Sequence, residues 1–215
     1  MYLKWQEKTI NKFDAHTIDS LYSDGFVFTR VGKGAMNQTR SLRINLAKFE
    51  LSSENRRILK KTEDVALKTA PIPYSDYDWS IHKMGKEFYA IKFGEKTFSA
   101  QKIKELIIDT KKSNFNLLLK YELADETIGY CIALETKHIL HYCYPFYNLA
   151  KANSNLGMGM MLKAILYAKK NKKKYIYLGS AQRPTDIYKL QFAGLEWFDG
   201  KKWQTDLAAL KKLLK

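Results

Sequence analysis

Cysteine is nearly missing from this 215-residue sequence. Cys131 and Cys143 are the only two, each inside an apolar run and without the spacing of a zinc or iron–sulfur ligand set. They read as packing residues, and no metal site is expected. No uninterrupted apolar run approaches the roughly 18 to 20 residues that a membrane-spanning helix needs. Met1-Tyr2-Leu3-Lys4-Trp5 also lacks the apolar core of a secretion signal. The expectation is a cytoplasmic protein with no membrane partner. Internal repeats are absent, and the lysine run at 169–174 is the only low-complexity tract. Acidic residues are scarce against basic ones, 22 against 37, for a formal charge of +15 and a pI near 9.6. Such an excess favours polyanions, through counterion release from a phosphate backbone. RNA is the favoured partner, ahead of simple solvation and of an acidic membrane surface.

A hydrophobic content of 46% is ample for a core, in one large domain or two small ones. The most informative stretch runs from Asn155 to Trp203. Gly157 and Gly159 open an amphipathic segment in which Met158, Met161, Leu162, Ile165 and Ala168 recur three or four apart, the period of a helix that buries one face. A helix that starts on glycines presents free N–H groups and the positive end of its dipole, a seat for phosphate. Tyr175-Ile176-Tyr177-Leu178-Gly179 then reads as a buried strand.

Earlier in the chain, a short helix is expected around Asp14 to Leu21, and strands at Phe26 to Arg30 and Leu42 to Leu46. Ser52 or Ser53 caps a basic helix carrying Arg56, Arg57, Lys60 and Lys61. Residues 68–80, with Pro71 and Pro73, read as a linker, which places a boundary near 75 between a module at 1–75 and a domain at 76–215. Beyond it come a strand at Phe88 to Phe93, a helix at Ala100 to Lys112 and a strand at Phe115 to Leu123. An antiparallel pair, Ile128 to Leu134 with Ile139 to Phe146, follows.

That order, with Gly-x-Gly opening a helix after a long strand, resembles the acyltransferase fold of the GNAT superfamily. The implied class is α+β: a mainly antiparallel mixed sheet flanked by helices, preceded by a small α/β module. GNAT enzymes usually carry Gln or Arg three residues before the first glycine, and Ser154 stands there. Tyr144-Pro145-Phe146-Tyr147-Asn148, the Ser154–Gly157 turn, the Tyr175–Gly179 segment and Tyr188-Lys189 with Phe192 and Glu196 narrow the likeness. Together with Gly25-Phe26, Arg43-Ile44, Phe49 and Ser52 through Leu59, they are similar to the aminoacyl-tRNA–protein transferases, the arginyl- and leucyl-transferases of the N-degron pathway. Lys33, Met36 and Thr39 occupy the region where that family commonly has a cysteine cluster, and Asn148 stands where aspartate is usual.

The resemblance implies transfer of arginine or leucine from charged tRNA to a protein's N-terminal α-amine, on substrates that begin with acidic or basic residues. It implies no cofactor beyond aminoacyl-tRNA as co-substrate. The amine has an ordinary pKa of about 7.7 to 8.0, so no strong base and no catalytic triad are required. Tyr144, Tyr177, Ser180, Asp186 and Tyr188 are the candidates for orienting the amine or moving its proton, with His141 in reserve. Arg43, Arg56, Arg57, Lys60, Asn155, Gly157, Gly159, Gln182 and Lys189 are the candidates for tRNA and substrate binding. Two alternatives are an acetyl-CoA-dependent N-acetyltransferase and a catalytically silent tRNA-binding homologue.

Overall fold

The computed structural model describes residues 3–215; Met1 and Tyr2, the start of the stretch read against a secretion signal, lie outside the described residues. The chain begins with β1 (Gln6–Thr9), α1 (Ala15–Ser23), β2 (Phe26–Phe28) and β3 (Ala35–Gln38). The three strands form a small antiparallel sheet in the order β1-β3-β2. Asp14 caps α1 by accepting from the Thr17 N–H, as the expected helix there requires.

β4 (Ser41–Asn45), α2 (Ser53–Lys61) and β5 (Val65–Pro71) come next. The α2 start is a capping box. Ser52 Oγ accepts from the Asn55 N–H, and the Asn55 side chain accepts from the Ser52 N–H. Two expectations from the sequence do not hold in the structure. Part of the stretch read as a linker is β5, which pairs with β6 (Leu117–Leu123) along its whole length, from Val65 opposite Leu123 to Pro71 opposite Leu117. The strand expected at Phe88 to Phe93 is the second half of a helix, α3 (Trp79–Phe93), capped by Asp78. Its aromatic residues favour strands locally. Over fifteen residues, however, Ile81, Gly85, Phe88 and Tyr89 recur with helical spacing and are the buried ones. The helix after it, α4 (Ala100–Ile108), stops earlier than expected, at Asp109.

β7 (Glu126–Glu135), β8 (Ile139–Tyr147), α5 (Leu156–Lys170), β9 (Tyr175–Ser180), a 3-10 segment at Pro184–Gln191, β10 (Leu195–Phe198), β11 (Trp203–Gln204) and α6 (Leu207–Leu213) complete the chain. The main sheet has eight strands in the order β11-β10-β4-β9-β8-β7-β6-β5, antiparallel at every junction except β8–β9. This is the expected α+β class. β4 and β5, which precede residue 75, pair in this sheet with β9, β10 and β6, which follow it.

Alternation along the strands gives each face its own core. One face packs Leu42, Ile44, Leu140 and Ile176 against α2, α5 and α6; the other packs Phe146, Ile132 and Tyr177 against α1, α3 and α4. Among the described residues no helix is long and apolar enough to cross a membrane, and no cluster of metal-binding side chains occurs.

Candidate active site

The parallel pair positions the site. β8 and β9 are in register only at Ile139–Tyr175, Leu140–Ile176 and His141–Tyr177. Past His141, β8 runs on to Tyr147 along β7, while β9 stays with β4 as far as Ser180. The carboxyl ends of the two strands therefore part. A crevice at the carboxyl ends of parallel strands is the usual ligand position in such sheets. Because α5 connects the pair and runs antiparallel to β9, its N-terminus points at this opening.

The first turn of α5 is bare. Asn155 makes no side-chain cap bond. The Leu156 N–H goes to Asn153 O at 3.1 Å, whereas the Gly157 and Met158 N–H groups have no acceptor among the described residues. These donors can hold an oxyanion or a phosphate oxygen. The two glycines have different roles. At Gly157 an added Cβ would sit 3.1 Å from the Tyr147 hydroxyl, so its bareness lets Tyr147 stand at the helix start. Gly159 is buried, and a Cβ there would lie 2.6 Å from Thr62 Oγ1 and 2.9 Å from Thr62 Cβ. It is a helix-crossing residue that lets α2 lie close against α5. That approach brings Arg57, forked onto Glu54 at 2.7 Å, within 3.4 Å of Asn155 Oδ1. A Gly159→Ala variant should lose about 1–3 kcal/mol of stability, since buried Thr62 cannot yield. Gly157→Ala should stay within about 1 kcal/mol of the parent, because its neighbour is the end of a long side chain. Urea unfolding of both variants checks the contrast.

The far wall is the 3-10 segment. Asp186 accepts from the Gln182 and Arg183 N–H groups at 2.9 and 3.0 Å and pairs with Lys189 at 3.0 Å. Lys189 also donates to Ser180 O. Burial works to raise the Asp186 pKa, but Lys189 and the two N–H bonds outweigh it and hold the carboxyl below its ordinary range. Tyr188 is 48% exposed, yet its phenol is pushed up to about 12, first by desolvation and then by Asp186 and Tyr147. The phenol therefore stays protonated at neutral pH, a proton donor rather than a base. Gln191, at the end of the segment, reaches Met158 Sδ at 3.7 Å and closes the wall onto α5.

The structure thus gathers Asn155, Gly157, Ser180, Asp186, Tyr188 and Lys189 at one end of the sheet, with Arg57 beside them. Arg56 and Lys60 lie on the exposed face of α2, and Arg56 is bonded to Leu51 O. Four other candidates occupy structural positions. Arg43 is buried, paired with Glu196 at 2.7 Å, and its guanidinium lies between the rings of Tyr175 and Trp203 at 3.9 and 3.8 Å. Tyr177 is fully buried and donates to Tyr22 O. Gln182 ties Leu3 to Thr39 through bonds of 2.9 and 2.6 Å. Tyr144 packs edge-on against Phe98 and Phe115, with Arg30 at 5.7 Å from its ring. The reserve base, His141, is buried and bonded to the Tyr22 hydroxyl at 2.9 Å, away from any opening. Two further tyrosines at this end of the sheet are not among the sequence candidates: Tyr147, and Tyr89, whose hydroxyl donates to Pro145 O and whose aim at β8 depends on α3 being a helix.

Residues 73–199, more than half of the chain, match the family model described as arginine-tRNA-protein transferase, C terminus. Aspartate/glutamate leucyltransferases of Xanthomonas campestris pv. campestris (strain B100) and Xanthomonas oryzae pv. oryzae (strain PXO99A) are each 22% identical. Their alignments cover 76% and 75% of this chain and 67% of each relative. Among solved structures, L-PGS from Bacillus licheniformis superposes with a TM-score of 0.50 at 10% identity, over 78% of this chain and 52% of that one. The chain therefore spans about half the length of that protein, and the likeness is one of fold alone.

Proposed function

The chain belongs to the arginine-tRNA-protein transferase family, and on that premise we propose that it moves leucine from charged tRNA onto the α-amine of proteins that begin with aspartate or glutamate. The observation that carries this reading is the extent of the family match, which runs over the whole β8–α5–β9 unit that builds the crevice. Leucine as donor and aspartate or glutamate as acceptor are in the names of the relatives. A local feature supports leucine over arginine. The carboxylate on the crevice wall, Asp186, is already held by Lys189 and two backbone N–H groups, which leaves a guanidinium donor without its partner there.

In the reaction the amine nitrogen attacks the ester carbonyl, a C–N bond forms, and the C–O bond to the tRNA ribose breaks. The proton lost by nitrogen leaves with the ribose oxygen. Positioning and oxyanion stabilisation supply the rate. The Gly157 and Met158 N–H groups can face the oxyanion, and the protonated Tyr188 phenol can donate to the leaving oxygen. The basic face of α2, with Arg56, Arg57, Lys60 and Lys61, suits the phosphate backbone of the acceptor stem.

The acceptor's acidic side chain needs a cation. Arg40 fits: it immediately precedes β4, accepts the Ala181 N–H through its carbonyl just past β9, and has a buried Nε with no partner among the described residues. Burial also lowers its pKa, which a carboxylate would offset. A charge-assisted bond of about 1.5–3 kcal/mol makes Arg40→Gln raise KM for peptides beginning with Asp or Glu by roughly 10- to 150-fold, with kcat little changed. Steady-state kinetics at saturating leucyl-tRNA test this; an unchanged KM places the acidic side chain elsewhere.

A further inference from the structure

α3 presents to solvent a strip that neither its core packing nor the proposed chemistry uses. Trp79, Lys83, Lys86, Ala90 and Phe93 recur at spacings of four, three, four and three, along one helix face. Trp79 is 61% and Phe93 48% exposed, the reverse of what the helical pattern gives Ile81, Phe88 and Tyr89. Each exposed ring carries a cation: Lys83 Nζ lies 5.5 Å from the Trp79 ring, and the Arg183 guanidinium 5.4 Å from that of Phe93. Between them the strip borders a hollow of about 480 Å³ lined by Lys86, Ala90, Glu95, Lys96, Phe98 and Gln101.

The buried side of α3 fixes where the strip leads. Tyr89 bonds to Pro145 O, and Phe88 packs on Tyr147 with ring centroids 4.7 Å apart, both on the part of β8 that has left β9. Phe93 touches Phe88 and Tyr89, and through Arg183 it meets the 3-10 wall. One end of the strip is therefore at the rim of the crevice. The other, Trp79, is fourteen residues away, about 21 Å along a helix axis.

We propose that this strip is a stacking track for the unpaired 3′ nucleotides of an RNA, delivering its terminal residue to the crevice. Exposed rings interleaved with cations are what a single strand needs: each base has a face to stack and each phosphate a charge to neutralise. A docked protein helix would instead have to bury Lys83 and Lys86 between two isolated rings, against the cost of desolvating them. The proposal rests on the transferase reading for the identity of the RNA, but its test does not depend on turnover.

The test measures binding of an uncharged RNA stem with four unpaired 3′ nucleotides, and of the same stem made blunt, to the parent protein and to Trp79→Ala, Phe93→Ala and the double variant. Both side chains are exposed, so the variants should fold, and circular dichroism checks that they do. The overhang should improve binding by the parent, each single variant should lose about tenfold on the overhang RNA, and binding to the blunt stem should not change. An overhang that adds nothing, or variants that bind like the parent, overturns the track. A variant that binds RNA normally but has a raised KM for the protein acceptor also overturns it, by assigning the strip to protein. Failure of the transferase reading looks different: no aminoacyl transfer by the parent, with overhang binding intact.

Discussion

Replacing Arg43 with methionine should cost about 3–5 kcal/mol of folding stability, because Glu196 is then left as a buried charge without its partner. Their side chains are 9% and 11% exposed and meet at 2.7 Å, and the guanidinium plane is also held between Tyr175 and Trp203. Most of the loss should come from stranding the carboxylate rather than from the net value of the pair. Removing both charges, as Arg43→Met with Glu196→Met, should therefore recover most of it and leave the double variant within about 1–2 kcal/mol of the parent. Denaturant unfolding of the four proteins in this cycle measures both numbers. The result also decides what Arg43 is for. A substrate-binding arginine would give a stable variant with poor binding, whereas a cross-sheet pin joining β4 to β10 gives an unstable one.

Acid should weaken the fold well above the range where carboxylates titrate. His141 is buried, and desolvation lowers its pKa from 6.5 to about 3. Its ring is placed to accept from Tyr22, whose hydroxyl accepts in turn from the Phe28 N–H. The folded-state pKa is below the unfolded one, so the unfolded chain binds the extra proton. The stability is fully present above pH 6.5 and is lost as pH falls from there toward 3. At about 1.4 kcal/mol per pH unit, the loss reaches about 2 kcal/mol at pH 5 and approaches about 5 kcal/mol near pH 3. The window between pH 6.5 and 5 isolates the effect, because Asp186 and Glu122, held below the ordinary carboxylate range, lose their partners only at lower pH. Unfolding free energies at pH 7.5 and 5 should differ by this amount in the parent and by much less in His141→Met. Equal slopes in the two proteins would contradict the assignment.

The elements legible in the sequence were those whose signal is local. The serine-capped start of α2, the β7–β8 hairpin, the glycine-opened α5 and the β9 strand each carry their cause within about twenty residues, and each forms where expected. α3 departs from its local signal because a six-residue aromatic window favours a strand, while its burial period shows only over the full helix. The pairings of Ser41 with Ser180 and of Val65 with Leu123 join residues far apart in the sequence and leave no local mark, so the insertion of β4 between β9 and β10 is invisible to local reading.

The site divides in the same way. The α5 turn is legible from its glycines and helical period, and Tyr188 and Lys189 from family likeness. Residue type alone, however, could not separate exposed Arg57 from Arg43, which is consumed by a glutamate 153 positions away. By sequence Gly159 reads as a phosphate-facing glycine, but its requirement comes from Thr62, a contact that exists only once α2 lies on α5. In both cases tertiary packing set the residue's role.

Aminoacyl transfer at the β8–β9 crevice is tested most directly by single-turnover transfer of labelled amino acid from charged tRNA to short peptides. Purified protein should move leucine from leucyl-tRNA onto peptides beginning with Asp or Glu, and not onto the same peptides with an acetylated N-terminus. Tyr188→Phe should slow the step at saturating substrates. No labelled peptide with leucyl- or arginyl-tRNA and any of the acceptors beginning with Asp, Glu, Lys or Arg would contradict the account.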